Sequence, residues 1–204
     1  RQFKLLKNHL RGKKYAISEG IKASSGDLIV TTDADCRHAR SWLKTIASFY
    51  SEKKPEMIIC PVEMRGSHGF FQRFQELEFM SLQGITSGTA ASGNPVMCNG
   101  ASLAFTRTAY ERHSGNLHPE KVSGDDVFLL HSLKREEGSR IEWLESREAI
   151  VTTTTCSSLS SFMWQRTRWL SKAGAYTDRF TIILAIVTFV TILIQPVLLA
   201  AGIF

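Results

Sequence analysis

From Phe180 to Phe204 the chain carries no charged residue, and this run limits its fold more than any other feature. At about 1.5 Å per helical residue the run exceeds the roughly 20 residues a helix needs to cross a bilayer. A buried helix of a soluble protein is the alternative. Few such helices run this long without a polar face, and Pro196 is tolerated within a membrane span. The run therefore predicts a transmembrane helix over residues 180–204. Arg166, Arg168, Lys172 and Arg179 crowd the stretch ahead of it, opposed there only by Asp178. Since Lys and Arg gather on the cytoplasmic side of a span, the rest of the chain is expected in the cytoplasm, anchored to the inner or plasma membrane.

The formal net charge of +6 alone suits nucleic acid, anionic lipid or a phosphorylated small molecule equally well. With the basic cluster set against the span, the membrane is the expected partner and nucleic acid is not. Cys36, Cys60, Cys98 and Cys156 stand far apart with no C-x-x-C pair, which argues against a zinc site and for reduced thiols. The histidines, His113, His118 and His131 among them, fall at no metal-binding spacing. The sequence opens at Arg1-Gln2-Phe3-Lys4 without an initiator Met, and the expectation is a segment of a longer protein.

Upstream of the span, strands and helices alternate. Leu28 to Thr32 is a short β-branched run ended by Asp33, and Trp42, Leu43, Ile46, Ala47 and Tyr50 recur at helical spacing after Ser41, a candidate N-cap. Met57 to Cys60 supplies a further strand, stopped by Pro61. Strand, helix and strand at this spacing predict a βαβ unit and a parallel sheet, with ligands at the carboxyl ends of its strands. A helix is predicted over Tyr15 to Ala23, an amphipathic one around Phe70 to Met80 and a Gly/Ser/Thr-rich loop over Gly84 to Gly93. The amphipathic helix either packs on the core or lies near a membrane surface. A strand over Ala101 to Phe105, a helix over Val127 to Leu133, and strands over Ile141 to Leu144 and Ala149 to Thr153 follow.

Three short motifs carry candidate chemistry. Asp33-Ala34-Asp35 places two carboxylates just past a strand, where they can jointly face a hard cation; oxygen ligands suit Mg²⁺ or Mn²⁺ completed by substrate phosphates. Acidic pairs also merely solvate turns. Gly124-Asp125-Asp126 precedes an apolar helix, where carboxylates serve either as ordinary caps or as a general base with a neighbour that tunes it. Gln165-Arg166-Thr167-Arg168-Trp169 sets Gln165, Arg168 and Trp169 on one helix side: a neutral arm, a planar fork for phosphate and a flat face for a sugar or base. A membrane-interface belt is the plainer reading and is compatible with the other. Lys13 and Lys14, in Arg11-Gly12-Lys13-Lys14, could reach a diphosphate or form a solvated face.

In this order, D-x-D, Gly-Asp-Asp and Q-x-x-R-W before a span resemble the membrane-bound family 2 glycosyltransferases, including cellulose, chitin and hyaluronan synthases. Gly12 to Ile17, Gly26 to Val30 and Asn99-Gly100-Ala101-Ser102 are also similar to that family, so the likeness covers nearly the whole chain. The resemblance implies a GT-A-like, mostly parallel α/β sheet flanked by helices. On that pattern, residues 1–156 form the catalytic core, 157–179 the interface helix and 180–204 the transmembrane helix. It implies an inverting hexosyltransferase in which Asp33 and Asp35 meet the cation, Asp126 with Asp125 holds the base position, and Lys13, Gln165, Arg168 and Trp169 bind donor and acceptor. The expected donor is a UDP-sugar and the acceptor a saccharide or lipid. Many relatives carry Glu-Asp where this chain has Asp125-Asp126, and the family's first strands would precede Arg1. Two other classes stay open: a sugar-phosphate nucleotidyltransferase, which gives no reason for Q-x-x-R-W beside a span, and a membrane-tethered nucleotide-binding module whose acidic motifs only cap helices.

Overall fold

The computed structural model describes residues 4–6, 12–116 and 124–202. Arg11, His118 and the last two residues of the expected span lie outside the described residues. In chain order the elements are α1 (Lys13–Ala23), β1 (Leu28–Thr31), β2 (Arg37–His38), α2 (Trp42–Lys53), β3 (Met57–Ile59), β4 (Val62–Arg65) and α3 (Phe70–Ala91). They continue with β5 (Leu103–Thr106), α4 (Arg107–His113), α5 (Asp125–Lys134), β6 (Ile141–Trp143), β7 (Val151–Thr154), α6 (Leu159–Leu170) and α7 (Arg179–Ala200).

The expected β1-α2-β3 unit is present, but the sheet is mixed rather than mostly parallel. Its order is β1-β5-β3-β6, and β5 runs antiparallel to both β1 and β3, filling the gap one strand wide between them. Only β3 and β6 pair in parallel within it. A second, three-stranded sheet, β2-β7-β4, joins an antiparallel and a parallel pair. Strands β2 and β4 go beyond the sequence expectation: β2 is only Arg37–His38, and β4 alternates Val62 and Met64 with Glu63 and Arg65 over just four residues.

Strand β3 is apolar at every position because both of its faces are covered. Its pleat sends Ile58 to a cluster with Trp42 and Ile46 of α2, while Met57 and Ile59 join Leu129, Leu130 and Leu133 of α5. Helix α5 is correspondingly buried from Val127 through Leu133. The central sheet is thus sandwiched between helices, which fixes where its strand ends open to solvent. Ser41 sits at the start of α2 without a side-chain capping bond; its carbonyl accepts from Thr45 N–H at 2.8 Å instead.

The segment expected as a Gly/Ser/Thr-rich loop is helical through Ala91. Its hydroxyls return to the helix's own carbonyls, Thr86 to Leu82 at 2.8 Å and Thr89 to Ile85 at 2.7 Å, so they do not compete with it. Burial of Gln75, Phe79, Thr86 and Ala90 along one face then overrides weak propensity. The same helix leaves Phe70, Phe74, Leu77 and Met80 exposed, so it packs on the core while turning an apolar stripe outward.

Helix α7 is long and apolar enough to cross a membrane, and its apolar residues are not buried against the rest of the chain. Its first turn is tied down. The Asp178 carboxylate accepts from Thr181 N–H at 2.8 Å and from Lys134 Nζ of α5 at 2.9 Å. Burial alone would raise the Asp178 pKa, but these bonds and the Thr181 hydroxyl bring it down to about 2.

The helical assignment of Gly84 and Gly88 generates a test. A methyl at either position meets open space and neither has a positive φ, so Gly84→Ala and Gly88→Ala should each stabilise the protein by about 0.5–1 kcal/mol. Chemical denaturation measures this; unchanged or lowered stability in both variants would mean that the segment is not helix.

Candidate active site

The D-x-D leaves the end of β1. Its turn is closed by Cys36 N–H donating to Asp33 carbonyl oxygen at 3.1 Å, which leaves Asp33 half-buried and Asp35 exposed. Strand β5 starts at the same edge, since Thr31 is in register with Leu103 and its hydroxyl donates to Leu103 carbonyl oxygen at 3.3 Å. The segment Asn99–Ser102 therefore lies beside the D-x-D. It is shaped internally by Asn99, whose Oδ1 accepts from Ala101 N–H at 3.0 Å.

Gly100 draws the second motif to this edge. Its N–H donates to Asp126 Oδ2 at 3.0 Å, and a methyl in place of its hydrogen would lie 3.3 Å from both Asp126 Oδ2 and Lys13 Nζ. Asp126 Oδ1 also accepts from Val127 N–H at 2.9 Å in the first turn of α5. Gly124 turns the chain into that helix at φ 112°, a conformation that L side chains rarely adopt. The absence of a Cβ matters as well, because one there would stand 2.9 Å from Lys172 Cδ and from Phe128.

Asp33, Asp125 and Asp126 each have an ammonium beside them, whereas Asp35 has none among the described residues. Lys13 donates to Asp33 Oδ1, Lys14 Nζ lies 3.3 Å from Asp125 Oδ1, and Lys172 Nζ lies 3.9 Å from Asp126 Oδ1. Burial raises the Asp125 pKa, the charge of Asp126 adds to that, and Lys14 opposes it. The neighbouring thiol of Cys98 is pushed well above its ordinary value by burial and by Asp126, and Cys60 up to about 12 by burial, so neither supplies a thiolate.

The third motif lies on α6. Trp169 packs at 6.2 Å against Phe79 of α3, in the cluster that holds Ala101, next in sequence to Gly100. Gln165 is half-buried, whereas Arg168 is exposed and has no side-chain partner among the described residues. The structure thus gathers Lys13, Asp33, Asp125 and Asp126 at one strand edge and brings Trp169 next to it. Asp35, with a Cys36 Sγ contact at 3.7 Å, and Arg168 face solvent. Two contributors escape sequence reading as site residues: Lys172 as the partner of Asp126, and Arg166, which donates bidentately to Glu78; Lys14, expected toward a diphosphate or solvent, pairs with Asp125. All are visible as basic residues, but their pairings span the fold and leave no local signature.

A hard dication fits this edge. Its donors are carboxylate oxygens, Asp33 already neutralises a cation, and Asp35 is open to solvent. No group of three or more His, Cys, Asp or Glu that could hold a metal occurs among the described residues. An ion held by Asp33 and Asp35 would therefore have to be completed by ligand phosphates and water.

The mixed α/β sandwich with its acidic strand edge defines a GT-A-like domain. The chain belongs to the glycosyltransferase-like family 2, whose model matches residues 4–171. A search of curated protein sequences gives no match. Among solved structures, the fold is similar to the mannosyltransferase PcManGT from Pyrobaculum calidifontis in complex with GDP-Man and Mn²⁺. The TM-score is 0.58 at 19% identity, over 83% of this chain and 45% of that one. The chain therefore spans less than half the length of that protein.

The turn before α5 makes a further test. Gly124→Ala should cost about 1–3 kcal/mol in stability, through its positive φ and the crowding of Lys172 and Phe128. Denaturant titration reads the loss; a neutral substitution would show that the Asp125-Asp126 turn is held some other way.

Proposed function

We propose that the protein is a membrane-bound glycosyltransferase that moves a sugar, with inversion, from a nucleotide-diphosphate sugar to a hydroxyl of a saccharide or lipid acceptor. The observation that carries the reading is the position of Asp126, held by Gly100 N–H on the strand edge that also bears Asp33. On this reading residues 1–156 are the catalytic core, 157–179 the interface helix and 180–204 the anchor, with the core on the cytoplasmic face. A UDP-sugar is the donor we assign from the sequence pattern. The GDP-Man and Mn²⁺ bound to the similar mannosyltransferase support the class of donor and a divalent ion, not the base.

In the reaction, the acceptor oxygen forms a bond to the anomeric carbon as the bond from that carbon to the diphosphate oxygen breaks. The electron pair leaves with the diphosphate, and the acceptor's proton passes to Asp126. Asp125, whose carboxyl is pushed up by burial and by Asp126, is the group that hydrogen-bonds or tunes the acceptor beside the base. Asp33 and Asp35 would hold Mg²⁺ or Mn²⁺, which when bound offsets charge on the diphosphate. Lys13 and Lys14, released from their carboxylates, can turn to the phosphates, and Gln165, Arg168 and Trp169 line the donor and acceptor side. Electrostatic stabilisation of the leaving group is the largest contribution asked of these residues.

The test uses the full-length enzyme. In Asp126→Asn the single amide oxygen can still accept from Gly100 N–H, while the bond from Val127 N–H to the second carboxylate oxygen is given up at about 1 kcal/mol, so folding and nucleotide affinity should survive. Turnover should fall roughly 10²-fold or more, as when a general base is removed. Near-normal turnover in this variant, with a collapse in Asp125→Asn, would move the base by one residue. Near-normal turnover in both would end the mechanism.

A further inference from the structure

Helix α6 carries Gln165, Arg168 and Trp169 yet contains no buried residue, so core packing alone does not hold it in place. What seats it is a stripe at i, i+4 and i+7: Phe162, Arg166 and Trp169. Phe162 meets Phe71 and Phe74 of α3 edge-on at 5.7 and 6.1 Å, and Trp169 meets Phe79. Between the two rings lies the Arg166 guanidinium, 4.4 Å from the Phe162 centroid and 4.2 Å from that of Trp169. Its Nε donates to Glu78 Oε1 at 2.9 Å and its Nη2 to Glu78 Oε2. The pair is well shielded, with 13% of the Arg166 side chain and 29% of the Glu78 side chain exposed.

A further donor of the fork goes to Gln165: Arg166 Nη1 donates to Gln165 Oε1 at 2.5 Å. This bond fixes which end of the Gln165 amide faces the guanidinium. The carbonyl oxygen is occupied, and Nε2 is left as the end that can donate to a ligand. Phosphate oxygens only accept, and sugar hydroxyls can accept as well as donate, so this end suits a nucleotide-sugar site.

We propose that Arg166, braced by Glu78, is a positioning residue that orients Gln165 as a hydrogen-bond donor toward the bound substrate. The inference rests on the proposed function and adds to it two residues, one on α3 and one at a variable position of Q-x-x-R-W. An ammonium cannot substitute for the guanidinium, because a planar fork is needed to meet both Glu78 oxygens and Gln165 at once while stacking between two rings.

A double-mutant cycle on the full-length enzyme tests it, with kcat and KM measured for wild type, Arg166→Lys, Gln165→Ala and the double variant, and melting temperature recorded for each. Arg166→Lys should lower kcat/KM by about tenfold, the loss expected for a hydrogen bond to a charged group. In the Gln165→Ala background the same change should cost no more than about twofold, because the residue it orients is already gone. Should Arg166→Lys melt well below wild type, the isosteric Glu78→Gln replaces it in the same cycle, with the same non-additivity expected. Full additivity, or wild-type kcat/KM in the Arg166 or Glu78 variant, overturns the positioning role and leaves the assignment of Asp126 standing. Wild-type kcat/KM in Gln165→Ala overturns it as well, whereas near-normal turnover in both Asp126→Asn and Asp125→Asn would overturn the proposed function itself.

Discussion

Three carboxylates at one strand edge repel one another unless each has a counter-charge, and this constraint organises the site. Lys13 and Lys14 come from the first turn of α1, Lys172 from the segment between α6 and α7, and each takes one of Asp33, Asp125 and Asp126. The acidic edge therefore draws together the start of the described chain and the approach to its apolar helix. Gly100 sits at the junction, with space for Lys13 on one side and a backbone N–H for Asp126 on the other. A diphosphate carrying its own dication has the charges to replace these pairs in kind, cation for Lys13 at Asp33 and phosphates for carboxylates at the lysines.

The edge can stay open because the hydrophobic work is done behind it. Strand β3 buries Ile58 against α2 and Met57 and Ile59 against α5, so the sheet needs no further cover at its strand ends. Helix α5 links the two regions. It begins at Asp125 and Asp126 and ends at Lys134, which pairs with Asp178 at the first turn of α7. The proposed base and the ion pair to the start of α7 thus lie at opposite ends of one buried helix.

What was legible in the sequence is what local physics dictates. The β-branched run before Asp33, the helical spacing after Ser41 and the acidic start of an apolar helix each appear where they were expected. So does α7, since an uncharged run of that length has few alternatives. What escaped was long-range. Nothing local says that β5 inserts antiparallel between β1 and β3, because strand direction is decided by the connections and not by the residues in the strand. The Gly84–Ala91 segment reads as loop by composition, and only the burial of Thr86 and Ala90 makes it helix. In Q-x-x-R-W, helical spacing groups Gln165, Arg168 and Trp169, whereas the structure packs Trp169 inward, exposes Arg168 and seats the helix through Arg166.

The central claim is that Asp33 and Asp35 make this edge a metal-dependent site for a nucleoside diphosphate. Isothermal titration of the full-length protein with a nucleoside diphosphate, with and without Mn²⁺, tests it most directly. The account predicts binding that requires the metal and is lost in Asp33→Asn and in Asp35→Asn while both variants remain folded, since an amide replaces a carboxylate in a turn but not at a dication. Metal-independent binding, no binding at all, or wild-type binding in both variants would contradict it.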